Sequence, residues 1–497
     1  MINYRPVTMT GFDFDLVVVG SGPAGEKAAA KAAFFEKRVA LIERAEELGG
    51  VCTRGGLPSK VLRQSALTYA AAKQRLPAML DAAERPSLAA LLADMGPVCE
   101  ARVLRIGHNL EQHQITLLRG DAQLLDRHRI AVRSPEGTQI ISAAFIVIAT
   151  GSRPHRPREI PFDDERVFCS ESILGAKILP RSLTVVGGGA IGAEYASIFA
   201  TLGTDVELFE EKERIVGFLD HEIGDCLQRE LSRSGVRLHL GEAVSDCRLH
   251  GAGVKTVGKK GTAVQSEALL FCGGRLGQTE GLGLEAAGIT PLHNGRITVD
   301  AVYRTSVPNI YAVGDVIGFP GLASTAMEQG RVAVGHAFGI DPGPTARKPT
   351  DGTTGALLDR QRFPETTTFP LLPYGIYTIP GVSTVGKTED QARADGHEVL
   401  IGRSYHADLD RGRLLGAGAG MCKLVCERDS LKLLGVHIVG ASAEELIHIG
   451  QACMYFGGTI EYFLRTVFNF PTLSALYKTA AYDALTRRPK GRGNRIR

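Results

Sequence analysis

The apolar positions of this chain fall in short runs. The longest buried-looking ones, such as Ala143 to Ala149, have the length of a strand. Two runs carry the same punctuation. Asp15-Leu-Val-Val-Val leads directly into Gly20-Ser-Gly22-Pro-Ala-Gly25, and Leu183-Thr-Val-Val leads into Gly187-Gly-Gly189-Ala-Ile-Gly192. Each G-x-G-x-x-G is followed by a helix-like stretch and a second apolar strand ending in an acid, Val39-Ala-Leu-Ile-Glu43 and Val206-Glu-Leu-Phe-Glu210. From first glycine to acid the distance is 23 residues in both. In such a unit the first glycine makes the tight turn, the second lets a pyrophosphate approach the backbone, and the third packs helix on strand. The pyrophosphate meets the helix N-terminus, and the acid takes the adenosine ribose hydroxyls. One G-x-G-x-x-G says little. A whole strand–turn–helix–strand–acid unit, repeated at equal spacing, predicts an α/β chain with two Rossmann-like dinucleotide-binding domains.

Length and charge narrow the class. The 497 residues suit about three or four domains. No apolar run approaches the ~18 residues of a membrane span. Asp13 and Asp15 interrupt any apolar leader before the first strand, so a signal peptide is not expected and a cytoplasmic location is. The formal charge of +3 comes from the last residues: Arg487, Arg488, Lys490, Arg492, Arg495 and Arg497 supply six positive charges, and without them 51 basic face 54 acidic residues, a balance of −3. A nucleic-acid binder carries its basic excess on the folded body, so no nucleic acid is expected as a partner, and residues 487–497 read as a solvated tail. The nine cysteines are scattered without a C-x-x-C pair, and no metal site is expected.

A third motif assigns the two sites. Thr305-Ser-Val-Pro-Asn-Ile-Tyr-Ala-Val-Gly314-Asp315 is a strand ending in Gly-Asp, followed by the helix-like Ala323-Ser-Thr-Ala-Met-Glu-Gln-Gly-Arg331. Here the chain resembles the pyridine nucleotide–disulfide oxidoreductase family, over residues 14 to 486. The resemblance implies that Gly314-Asp315 closes an FAD site, that Thr150 and Gly151 mark the crossover out of the FAD domain, and that Gly274 and Arg275 mark the way back. It divides the chain into 1–155, the first part of the FAD-binding domain; 156–278, the NAD(P)-binding domain; 279–348, the second FAD part; 349–373, a Pro-rich extra loop; and 374–486, an α+β domain that makes a homodimer. The wider stretch 341–373 holds six prolines. The family implies FAD on the first unit and NAD or NADP on the second.

The redox centre is where the chain departs from that family. Its disulfide reductases carry C-x-x-x-x-C before Pro-Ser-Lys. This chain reads Val51-Cys52-Thr-Arg-Gly-Gly-Leu-Pro58-Ser59-Lys60: the second cysteine is missing, and the stretch is one residue short. Near the C-terminus Phe470-Pro471-Thr472-Leu-Ser-Ala475 stands where a His-Pro-Thr-x-x-Glu pattern would place a proton-shuttling His and its Glu. Both halves of the thiol machinery are gone, and both dinucleotide units remain. Within the family the chain is most similar to the soluble pyridine nucleotide transhydrogenases, which keep a first cysteine followed by Thr and put an aromatic in place of the His. The short turn after Cys52 and Ala475 differ from that subfamily. The implied reaction is a ping-pong hydride transfer between NADPH and NAD⁺ through FAD. Lys60 is the implied cation near the flavin, paired with Glu194, and Cys52 lines the same site. Glu210 favours NAD, because it repels a 2′-phosphate. Lys212 and Arg214, just beyond it, either ease NADP binding or are plain surface charges. Three other readings stand: an NAD(P)H-dependent diaphorase or dihydrolipoamide-dehydrogenase-like protein with a non-disulfide acceptor, a thiol enzyme working through Cys52 alone, and a non-enzymatic binding module.

Overall fold

The computed structural model describes residues 11–75, 86–340, 371–416 and 420–488. Most of the Pro-rich stretch 341–373 and most of the basic tail lie outside them. In chain order the first elements are β1 (Phe14–Val19), α1 (Pro23–Phe34), β2 (Val39–Glu43), α2 (Leu57–Arg75), α3 (Leu88–Leu91) and α4 (Met95–Gln112). Then come β3 (Thr116–Arg119), β4 (Asp121–Leu124), β5 (Arg129–Ser134), β6 (Gly137–Ile148) and β7 (Ser152–Pro154). The middle of the chain holds β8 (Val167–Cys169), β9 (Ser182–Val186), α5 (Ala190–Thr201), β10 (Asp205–Glu210), α6 (His221–Arg233) and β11 (Val236–Leu240). It continues through β12 (Val244–His250), β13 (Gly253–Gly258), β14 (Ala263–Ser266), β15 (Ala268–Phe271), β16 (Arg275–Gly277), β17 (Ile310–Ala312) and α7 (Ala323–Ala337). The last part holds β18 (Tyr374–Ile376), β19 (Val382–Gly386), α8 (Glu389–Ala394), β20 (Val399–Tyr405) and α9 (Asp410–Leu414). It closes with β21 (Met421–Glu427), β22 (Leu433–Val439), α10 (Ala443–Tyr455), α11 (Glu461–Arg465) and α12 (Ala475–Thr486).

These elements form two compact units. The first gathers residues 1–61, 92–155 and 274–368; the second gathers 62–91, 156–273 and 369–497. In the first, β3, β2, β1, β6 and β17 run parallel, and β5 and β4 continue the sheet antiparallel from the other end of β6. Leu16 to Val19 are buried on both faces, which is why β1 reads as an unbroken apolar run. Helices α1 and α7 pack closely through small residues: a Cβ on Gly330 would lie 2.4 Å from the Ala24 carbonyl oxygen.

The second unit has a parallel sheet of order β11-β10-β9-β15-β8, a small antiparallel sheet β12-β13-β14, and an antiparallel sheet β18-β19-β22-β21-β20. In the last of these, period-2 alternation sends Cys422, Leu424 and Cys426 into the core that α10 and α12 complete. Val425 faces the other way, into a small cluster with Ala392 and Ile401.

Candidate functional site

The two glycine turns have the same geometry. Gly20 and Gly187 have φ of +105° and +103°, the left-handed region that favours glycine. A Cβ on Gly25 would lie 1.9 Å from the Gly20 carbonyl oxygen, and one on Gly192 would lie 1.8 Å from that of Gly187. Those third glycines are required by helix–strand packing. The second glycines differ: a Cβ on Gly22 or Gly189 meets nothing within 4 Å. Each second glycine is the N-cap of its helix, α1 or α5, with no side chain bonding the free N–H groups. An uncovered helix N-terminus beside open space is where a phosphate binds.

The distal acids are engaged within their own turns. The Glu43 carboxylate accepts from the Ser21 N–H at 2.9 Å, the Ser21 hydroxyl at 2.7 Å and the Ala45 N–H at 2.9 Å. Glu210 accepts from the Gly188 N–H at 2.6 Å and the Lys212 N–H at 2.9 Å. Each acid therefore braces the residue between the first two glycines. Ser21, whose hydroxyl also accepts from the Gly49 N–H at 2.9 Å, escaped the sequence reading. Its signal was there: a hydroxyl inside the first turn where the second has Gly188.

In the first unit β7 pairs antiparallel with β16, so the two crossover segments form one ribbon. Gly151 and Gly274 sit on it at φ of +72° and +109°, with no heavy atom within 4 Å of an added Cβ. Arg275 donates from Nε to the Ser152 hydroxyl at 2.8 Å and from a terminal nitrogen to the Ser152 carbonyl at 3.0 Å. That hydroxyl donates to Asp315 at 2.9 Å, and the Gly314 N–H donates to the buried Gln329 side chain at 2.7 Å. Arg275, Ser152 and Asp315 thus form one chain of hydrogen bonds. The Thr150 and Thr325 hydroxyls are buried and make no hydrogen bond with the protein. Buried polar groups are ordinarily satisfied, so each fits a ligand group. Thr325, Gln329 and Ser152 were not singled out from sequence.

Cys52 opens a short π-helical turn, Cys52–Gly56, in which the Leu57 N–H bonds back to the Cys52 carbonyl. Burial pushes its thiol pKa up, against the pull of the nearby Arg102 and Lys60 cations. It is not poised as a thiolate nucleophile. All nine cysteines are free. Lys60 lies four residues beyond that turn in the first unit, its Nζ 3.4 Å from the Ser59 hydroxyl. Glu194 belongs to the second unit, where its carboxylate accepts the Tyr377 N–H at 2.8 Å. Also in the second unit, Arg63 donates to the Thr378 carbonyl at 3.0 Å, pairs with Glu444 at 2.7 Å and lies over the Tyr377 ring. Burial raises the Glu444 pKa.

Of the two cations beyond Glu210, Lys212 is exposed, while Arg214 is engaged by Asp225 and the His221 carbonyl. Phe470, where the reductases place their His, is 83% exposed. No cluster of His, Cys, Asp and Glu among the described residues would hold a metal. No described helix is long and apolar enough to cross a membrane.

Comparison with known proteins agrees with this geometry. Residues 14–330 match the pyridine nucleotide-disulphide oxidoreductase family, and residues 372–481 match its dimerisation domain. A soluble pyridine nucleotide transhydrogenase from Mycobacterium bovis is 41% identical over 96% of this chain and 98% of its own. One from Marinomonas sp. is 39% identical over 96% of this chain and all of its own. Among solved structures, LpdA from Mycobacterium tuberculosis superposes with a TM-score of 0.82 at 26% identity, covering 94% of this chain and 99% of its own. The HOCl-induced flavoprotein disulfide reductase RclA from Escherichia coli gives 0.79 at 25%, with the same coverage. With its two glycine turns and its C-terminal sheet accounted for, the chain belongs to the pyridine nucleotide-disulphide oxidoreductase family.

Proposed function

We propose that this protein is an FAD-dependent transhydrogenase that moves a hydride equivalent between NADPH and NAD⁺, in either direction, without a redox disulfide. One observation carries the reading: both glycine turns are open at their second glycine, while the turn beside Lys60 contributes one cysteine, unbonded to another and with its thiol pKa raised by burial. Bound FAD supplies the two-electron carrier that a ping-pong exchange between nicotinamides requires.

The chain's own residues bind and orient. In the first unit Gly20, Gly22 and Gly25 open the α1 N-terminus to the FAD pyrophosphate, and Glu43 takes the adenosine ribose. Thr150, Gly151, Gly314 and the Arg275–Ser152–Asp315 chain would hold the remainder of FAD. Cys52 would line that site, and Lys60 would place a cation there able to stabilise negative charge. In the second unit Gly187, Gly189 and Gly192 receive the nicotinamide dinucleotide. Glu210 takes its ribose, Lys212 offers a cation to a 2′-phosphate, and Glu194 holds the Tyr377 backbone. No step asks a side chain to shuttle a proton. That fits Phe470 and Ala475 in place of the reductase acid–base pair.

The assembly we propose is a homodimer through the C-terminal domain. Phe456, Val467 and Phe470 are each more than four-fifths exposed in the single chain, and all three lie in the dimerisation region. Nine unpaired cysteines suit a reducing cytoplasm.

The test is anaerobic. FAD-loaded protein is mixed with NADPH and thio-NAD⁺, and thio-NADH is followed by absorbance. Steady formation is expected. Absence of thio-NADH with fast turnover on a quinone would replace the transhydrogenase by a diaphorase.

A further inference from the structure

One side chain of the second unit is too costly to be explained by packing. Lys423, on β21, is 2% exposed. It points away from the core that takes its neighbours Cys422 and Leu424. Its ammonium lies 2.9 Å from Asp220, 2.7 Å from Glu222 and 2.8 Å from Glu389. Arg403 on β20 joins through two bonds to Glu222, at 2.6 and 2.7 Å. His437 on β22 is fully buried and near enough to Asp220 to be felt by its carboxylate. Burial works against the Lys423 charge, but the carboxylates outweigh it and raise its pKa. A buried ion cluster is a poor stabiliser, since well-packed apolar residues do as well; its best-attested use is to fix one arrangement of the elements it joins.

What this cluster fixes is the start of α6. Asp220 is the N-cap of that helix and accepts the Glu222 N–H at 3.1 Å. Residues 211–219 join this cap to Glu210, and they lie against the nucleotide turn. The Val216 N–H donates to the Gly188 carbonyl at 2.8 Å. The Ile215 side chain is so close that a Cβ on Gly188 would meet it at 2.8 Å. Val216 has φ of +46°, which a buried β-branched residue adopts only when its surroundings hold it there. Phe218 packs on the Tyr374 ring with centroids 4.7 Å apart. The segment is thus pinned at one end by the glycine turn and at the other by residues of the C-terminal sheet.

We propose that Lys423 is a positioning residue for the nicotinamide dinucleotide. By holding Asp220 and Glu222 it keeps residues 211–219 strained against Gly188, and so sets the wall of the adenosine end. This inference rests on the reading of the second turn as the nicotinamide site. It makes the dimerisation domain part of nucleotide recognition.

The experiment is calorimetric titration of the FAD-loaded enzyme with 2′,5′-ADP and with 5′-AMP, on wild type, Lys423→Met, Lys423→Arg and the core control Leu400→Ala. Melting temperatures and the KM and kcat for NADPH are measured alongside. Lys423→Met should weaken both probes about five- to tenfold and raise KM by a similar factor, with kcat within about twofold. Lys423→Arg should recover most of the affinity. Leu400→Ala should melt earlier yet bind as wild type does. Should Lys423→Met not fold, Glu389→Gln takes its place, with an expected affinity loss of about threefold. A folded Lys423→Met, or its substitute, that melts earlier but binds as wild type overturns the proposal and leaves a structural role. Failure of the wild type to bind either probe overturns the nucleotide reading itself, which is a separate result.

Discussion

The second and third glycines of each turn make opposite predictions when a methyl group is added. A Cβ at Gly192 would lie 1.8 Å from the Gly187 carbonyl oxygen, and real Cβ atoms essentially never come within 3.0 Å of a neighbour. The difference, 3.0 minus 1.8, demands a shift of 1.2 Å between two backbone segments. Neither can rotate away as a side chain would. Overpacking of this kind costs about 1–3 kcal/mol. At roughly 2–4 °C per kcal/mol, Gly192→Ala should lower Tm by about 2–12 °C.

Gly189→Ala meets nothing. Its backbone, at φ −67° and ψ −178°, is ordinary extended chain that alanine adopts without strain. Folding stability should be unchanged, or higher by about 0.4–1 kcal/mol because the unfolded chain loses freedom. The methyl instead stands in the open space before the α5 N-terminus, where the pyrophosphate would approach. Loss of that approach should weaken NADH and NADPH at least about tenfold, or ~1.4 kcal/mol. Differential scanning fluorimetry reads the first effect and calorimetric titration the second. A Gly189→Ala variant that binds both nucleotides as wild type does would refute the open-turn assignment, and a Gly192→Ala variant that melts unchanged would refute the packing assignment.

Other outcomes follow from the same geometry. Cys52→Ser should retain FAD and keep NADPH-to-thio-NAD⁺ turnover within about twofold, since hydride transfer asks no nucleophile of the protein; near-total loss would restore the thiol reading. Glu222 is held down to about 2, chiefly by its hydrogen bonds to Arg403. A depressed carboxylate contributes stability above its unfolded pKa, near 4.5, and loses it as pH falls toward 2. Tm of the wild type should therefore fall more steeply over that window than Tm of Glu222→Gln, and equal slopes would refute the assignment. Val467→Asp, on the exposed apolar face of the C-terminal region, should convert a dimer to monomers in analytical ultracentrifugation; a variant that stays dimeric would place the interface elsewhere.

The chemistry that was legible in sequence is chemistry carried by contiguous residues. A glycine turn must be written in consecutive letters, because its three glycines answer constraints within a few residues of backbone. The acid 23 residues on is legible for the same reason: one helix and one strand bring it back beside the turn. The missing partner of Cys52 and the aromatic at Phe470 are likewise single positions in short patterns. What stayed hidden depends on distant segments. Thr325 looks like any helix hydroxyl until its burial without a partner is seen. Lys423 reads as an ordinary polar position in an alternating strand, whose outward face is usually solvated. Its carboxylate partners Asp220 and Glu222 stand 203 and 201 residues before it. The grouping of residues 156–273 with 369–497 is equally invisible to local pattern, since it rests on such long-range contacts. The same distinction separates two kinds of residue in this chain. Most of those proposed to touch a cofactor lie in motifs that can be read directly. Those that set the posture of the motif, Lys423 above all, become visible only when the fold brings them to it.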